Sequence, residues 1–146
     1  MRCNGATLSW WWRAACFIWP NLGVVSRRFS QPGDAANARA KYVKQVVSFI
    51  ETPKIKPLKI VVNCGNGAAG PTFDAIARAL LKEDAPLEII RVHHEPDYTF
   101  PNGIPNPLLV ENRPATSNAV ISEGADLGVA FDGDFDRCFF FDETGA

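Results

Sequence analysis

Three short, largely apolar runs separated by two helix-like stretches constrain this chain more than any other feature. Leu58 to Val62, Leu87 to Val92 and Leu127 to Phe131 have the length and β-branched content of strands. Between the first two, Pro71 suits a first helical position, and Phe73, Ile76, Ala77, Leu80 and Leu81 recur at helical spacing before Pro86. Between the second and third, Pro114 can open a helix that runs through Val120 and Ile121 and ends at Gly124. Cys138 to Phe141 reads as a last, returning strand. The expected fold is therefore α/β: a three-layer domain with a mainly parallel or mixed sheet, β-α-β-α-β followed by a return strand. In such sheets ligands bind beyond the carboxyl ends of the strands.

Two more boundaries follow. Tyr42, Val43, Val46, Val47, Phe49 and Ile50 predict an amphipathic helix over 41–50, stopped by Pro53 and Pro57. Residues 1–38 show no sustained period and end in the turn-rich Ser30-Gln31-Pro32-Gly33-Asp34, so they are expected to be an irregular leader, with the domain occupying 39–146. Trp10-Trp11-Trp12 and the run Ala14 to Trp19 suggest a membrane segment at first sight, but Arg13 and Pro20 leave it too short to cross a bilayer. Cys3, Cys16, Cys64 and Cys138 form no Cys-x-x-Cys pair, which argues against a zinc knuckle or disulfide framework and fits a reducing cytoplasm.

Charge is uneven: residues 1–60 carry ten Lys/Arg against two acids, and residues 61–146 carry five against fourteen. The basic charges are dispersed and belong to no nucleic-acid module, so nucleic-acid binding is not expected. The acids crowd into one place. In Asp132-Gly133-Asp134-Phe135-Asp136-Arg137, three alternate carboxylates would repel one another if left without a cation. Mg²⁺ favours carboxylate oxygens together with phosphate oxygens, and Arg137 could hold the same phosphate with its planar fork. Two competing readings are a solvated acidic hairpin turn and an EF-hand, in which Glu143 would take the twelfth position. The EF-hand requires Gly where Arg137 stands and helices where strands are expected.

Gly65-Asn66-Gly67-Ala68-Ala69-Gly70 is a G-x-G-x-x-G between a strand and a helix, the place of a dinucleotide pyrophosphate. The acid expected about twenty residues further on is poorly matched, Glu88 being early and Glu95 late. A tight turn using glycine for positive φ and close packing needs no ligand, and is the favoured reading. His93 and His94, beside a strand end, are expected to be surface or hydrogen-bonded residues rather than a catalytic pair.

Taken with Asn63-Cys64 before the glycine turn, and with Phe100-Pro101-Asn102-Gly103-Ile104-Pro105-Asn106-Pro107, these motifs resemble the α-D-phosphohexomutases, the bacterial phosphomannomutases most of all. The resemblance covers roughly Arg39 to Ala146 and corresponds to that family's second domain. It implies an isomerase that interconverts hexose 1- and 6-phosphates, mannose first, through an active-site phosphoserine and Mg²⁺. It further implies that Asp132, Asp134 and Asp136 hold the Mg²⁺, that Arg137 contacts phosphate, and that the glycine turn is architectural.

The family's Ser-His-Asn-Pro is absent, as are its sugar-selecting and phosphate-binding loops, so the chain is expected to be an incomplete second domain, inactive alone and poorly soluble. A leader read out of frame would account for residues 1–38. The alternatives are a stand-alone metal- or phosphate-binding module and, third, a nucleotide-binding α/β enzyme. Sugar preference and oligomeric state are not written in these residues.

Overall fold

The computed structural model describes residues 32–146. The expectations for the Trp triplet, the apolar run after it and the leader up to Gln31 lie outside the described residues. The chain divides into two units at Lys41/Tyr42, and the second, Tyr42–Ala146, contains the whole sheet.

The first helix, α1, spans Pro32–Val47. It opens ahead of the boundary expected at Arg39 and closes before Ile50, so the last part of the expected leader is helical. Pro32 is tolerated in a first turn, where its missing N–H would have no partner anyway, and the Ala-rich stretch behind it favours helix without any apolar stripe. Periodicity could not reveal this segment, because Ala36 to Lys41 are all exposed. Further along, the half-buried positions are Val43, Val46, Val47 and Ile50, while Tyr42 and Phe49 face solvent. A short 3₁₀ turn, Thr52–Lys54, follows, with Thr52 Oγ1 donating to Glu83 at 2.7 Å.

The expected alternation is present. Strand β1 is Leu58–Asn63, helix α2 Ala69–Leu81, strand β2 Leu87–Val92, helix α3 Pro114–Glu123, strand β3 Leu127–Phe131 and strand β4 Cys138–Phe141. Gly124 closes α3 in the left-handed conformation at φ 58°, the usual role of glycine after a helix. The sheet order is β2-β1-β3-β4. Strand β1 runs parallel to both neighbours, with Ile60 opposite Ile89 and Leu127, and β4 returns antiparallel to β3, with Phe131 opposite Cys138. The sheet is thus mixed, and the order in which strands are added switches sides at β1, with β2 on one side and β3 on the other.

Alternate residues of the strands supply two cores. Val61, Ile90, Val92, Ala130, Phe139 and Phe141 face α3, where Val120 is fully buried. Ile60, Val62, Ile89 and Phe131 face the other way, with Cys64 at the end of β1, and meet Ala69 and Phe73 of α2. Helices on both faces make the three layers. Complete burial of Val61, Val62 and Val120 removes apolar surface worth about 1.5–3 kcal/mol each. Because β1 lies between β2 and β3, the loops leaving β1 and β3 emerge side by side, Asn63 opposite Ala130, at the point where open α/β sheets form their crevice.

Candidate metal centre

The loop leaving β3 is a hairpin connection that is solvated at Asp134, Asp136 and Arg137 but anchored at its first residue. Asp132 is 1% exposed, and both of its oxygens are engaged. Oδ1 accepts the backbone N–H groups of Asp136 and Arg137, each at 3.1 Å, and Oδ2 accepts Arg137 Nε at 2.8 Å. Asp134 and Asp136 are exposed, and one carboxylate oxygen from each of the three aspartates lies within 4.8 Å of the others. That spacing suits convergence on one small hard cation. The flanking elements are antiparallel strands, which removes the EF-hand.

Electrostatics agree with the geometry. Burial pulls the Asp132 carboxyl upward, but the Arg137 N–H, the neighbouring Asp136 and the Arg137 side chain outweigh it, so Asp132 is held below the usual carboxylate range. Asp136 is pushed the other way, first by the closeness of Asp132, then by partial desolvation and the Asp134 charge. Arg137 answers both: its Nε is also 3.2 Å from Asp136 Oδ1, and its cationic form is reinforced by Asp132 and then Asp136. The Arg137 side chain is half exposed at 49% while its Nε pairs with both carboxylates. Phe135 anchors the tip. Its φ of 69° is unusual for a non-glycine residue and costs of order 1–3 kcal/mol, offset where its ring packs edge-on against Phe131 at 4.9 Å.

All three glycines of the turn after β1 face protein. A Cβ at Gly65 would lie 2.2 Å from Pro105 Cβ, one at Gly67 2.6 Å from the Gly133 carbonyl oxygen, and one at Gly70 2.1 Å from the His94 carbonyl oxygen. The close approach that a dinucleotide fold reserves for pyrophosphate is here filled by the chain itself, and the Ala68 N–H donates to Gly133 O at 3.0 Å. The nucleotide-binding alternative loses its site for this reason. The loop from Glu95 to Pro107 packs over the same place, bringing the three sequence motifs into one cluster.

Sequence reasoning assigned no role to the asparagines that knit this cluster, although Asn63 stands in one of the three motifs. Asn63 Nδ2 donates to the buried Thr116 Oγ1 at 3.0 Å, while its Oδ1 accepts the Gly65 N–H at 2.9 Å. Asn112 Nδ2 donates to the carbonyls of Ile104 and Asn106. No spacing rule marks such residues, although an Asn beside a glycine turn hints at a left-handed position. A cavity of about 90 Å³ remains between Asn63, His93, Asn102, Pro105 and Glu111. His94 is structural in its contacts: Nδ1 lies 3.4 Å from Cys64 Sγ, and Nε2 lies 3.2 Å from Asp74 Oδ2 in an approach too poorly aligned for a good hydrogen bond. Arg91 holds the other Asp74 oxygen at 2.9 Å.

Comparison with known proteins places this arrangement in a family. Residues 40–145 match the sequence family described as phosphoglucomutase/phosphomannomutase, alpha/beta/alpha domain II. Phosphomannomutase of Escherichia coli is 58% identical over 109 residues, which is 75% of this chain and 24% of the relative. Phosphomannomutase of Vibrio cholerae is also 58% identical, over 72% of this chain and 23% of its own. Among solved structures, a phosphoglucomutase/phosphomannomutase family protein from Burkholderia thailandensis superposes with a TM-score of 0.65 at 33% identity, covering 74% of this chain and 22% of that one. The chain therefore spans about a quarter of the length of the curated relatives it matches. On the match over residues 40–145, the chain belongs to the phosphoglucomutase/phosphomannomutase family and carries its α/β/α domain II.

Proposed function

We propose that this chain carries the magnesium loop of a phosphohexomutase that interconverts hexose 1-phosphate and hexose 6-phosphate through a phosphoserine, with mannose phosphates as the substrates. The observation that carries this reading is the convergence of Asp132, Asp134 and Asp136 beyond the carboxyl end of β3, in a domain of this family. The choice of mannose follows the names of the relatives, two of them phosphomannomutases at 58% identity.

In this reading Asp132, Asp134 and Asp136 hold Mg²⁺, which when bound neutralises charge on the phosphoryl group in transit. Arg137 is the phosphate contact. Its guanidinium is already aimed by Asp132 and Asp136, and its exposed edge is free to meet phosphate oxygens. The phosphoserine comes from outside residues 1–146, since no serine here stands in Ser-His-Asn-Pro. Catalysis accordingly needs more than this chain, and the place of work is the cytoplasm.

Calorimetric titration of Mg²⁺ into the full chain, compared with Asp132→Asn, tests the metal assignment. Saturable binding by the wild type that is lost in the variant is expected, because Asp132 contributes the buried carboxylate of the three. Equal heats from both proteins would contradict it.

A further inference from the structure

We propose that the turn Asn66-Gly67-Ala68 is a positioning element for the aspartate loop, one jaw of a clamp that fixes the peptide between Asp132 and Asp134. This rests on the Mg²⁺ reading above. Gly133 lies between two of the three aspartates, and its carbonyl accepts the Ala68 N–H at 3.0 Å. The absence of a side chain at Gly67 makes that approach possible, because a Cβ there would stand 2.6 Å from Gly133 O and 2.9 Å from its Cα. On its other side Gly133 meets the second jaw: a Cβ built on it would be 3.4 Å from Pro105 Cγ and 3.6 Å from the Phe100 ring.

Asn66 ties the jaws together. It is 9% exposed and sits at φ 59°, a conformation in which Asn is better tolerated than most residues. Its N–H donates to His93 O at 2.7 Å and its carbonyl accepts the Asp97 N–H at 2.8 Å. Its Nδ2 donates to Glu95 O at 2.9 Å and its Oδ1 accepts Asn102 Nδ2 at 2.8 Å. Three of the four polar groups of one buried residue thus bind the loop that carries Phe100 and Pro105, and the fourth binds His93 just before it. The clamp removes freedom from the Asp132–Asp134 segment before any cation arrives, so less ordering is left for binding to impose. The glycine turn is then more than a connection between β1 and α2.

Mn²⁺ binding to the full chain, read by the loss of the free-ion electron paramagnetic resonance signal, tests this without any turnover. Ala68 has φ −75°, which proline can adopt, so Ala68→Pro deletes the donor to Gly133 and sets a ring against its carbonyl. Asn66→Asp tolerates the left-handed backbone but removes the Nδ2 donor, and its added charge would by itself favour a cation, so weaker binding reports the lost clamp. Val120→Ala, in the core under α3, serves as a destabilised control with the clamp intact.

The expected result is an affinity about tenfold weaker or worse in both clamp variants, the range seen when groups supporting metal ligands are removed, with wild-type affinity in the control. If Ala68→Pro does not fold, Asn66→Asp decides. Folded clamp variants with wild-type affinity, or an equal loss in Val120→Ala, would overturn the clamp and leave the metal site standing. Wild type and Asp132→Asn binding Mn²⁺ alike would overturn the metal site and the clamp with it.

Discussion

Cys64 is fully buried just after β1, and desolvation, followed by the nearby Asp74 charge, pushes its thiol up to about 12 from an ordinary 9.0. Arg91 opposes this weakly. The folded state therefore keeps a proton that the unfolded chain releases, and the stability tied to that proton is intact below pH 9 and lost as pH rises toward 12. Cys64→Ala is expected to flatten the decline in unfolding free energy over that window, which denaturant titrations at stepped pH would reveal. An unchanged slope would show that the thiol is not the group responsible. The sequence marked Cys64 only as one scattered cysteine, and it read the histidines near β2 as structure, which the Cys64–His94 contact supports. It singled out the aspartate loop because repulsion among alternate carboxylates is a local property. It set Asn63 and Asn66 within a motif but assigned them no role, because their partners lie about thirty or more residues away along the chain.

Strands β2, β3 and β4 begin and end where the apolar runs do, and β1 extends by one residue to Asn63. The central strands β1 and β3 were legible because burial on both faces demands nearly continuous apolar residues, and the edge strands β2 and β4 because their β-branched and aromatic residues cluster in short runs. Helix α1 was legible only in part, since its exposed alanines follow propensity and leave no pattern of burial. The contact between β3 and α3 was not legible at all. Gly128 faces α3 so closely that a Cβ would lie 2.6 Å from Val120 Cγ2 and 3.1 Å from Phe141 Cβ. Gly128→Ala is therefore expected to destabilise the domain by about 1–3 kcal/mol through overpacking, measurable by urea denaturation. A neutral or stabilising effect would mean that α3 can back away from the sheet without loss.

At the scale of the whole molecule, the chain matches about a quarter of the length of its curated relatives. The loop after β2 exposes Tyr98, Ile104, Leu108 and Val110, and the edge strand β4 exposes Phe140. Exposed apolar residues of this number are the observation behind the expectation of poor solubility. Among the described residues, no helix is long and apolar enough to cross a membrane. The family was legible because three motifs stand in order along the chain, and the fold explains that order by bringing all three to the carboxyl ends of β1 and β3. What this chain does in a whole enzyme is tested most directly by exchange. Residues 40–145 would replace the matching segment of the E. coli phosphomannomutase, and the conversion of mannose 1-phosphate to mannose 6-phosphate would be followed with and without Mg²⁺. The account predicts Mg²⁺-dependent activity that disappears when Asp132→Asn is introduced into the exchanged segment. A folded chimera with no activity, or one indifferent to Asp132→Asn, would contradict it.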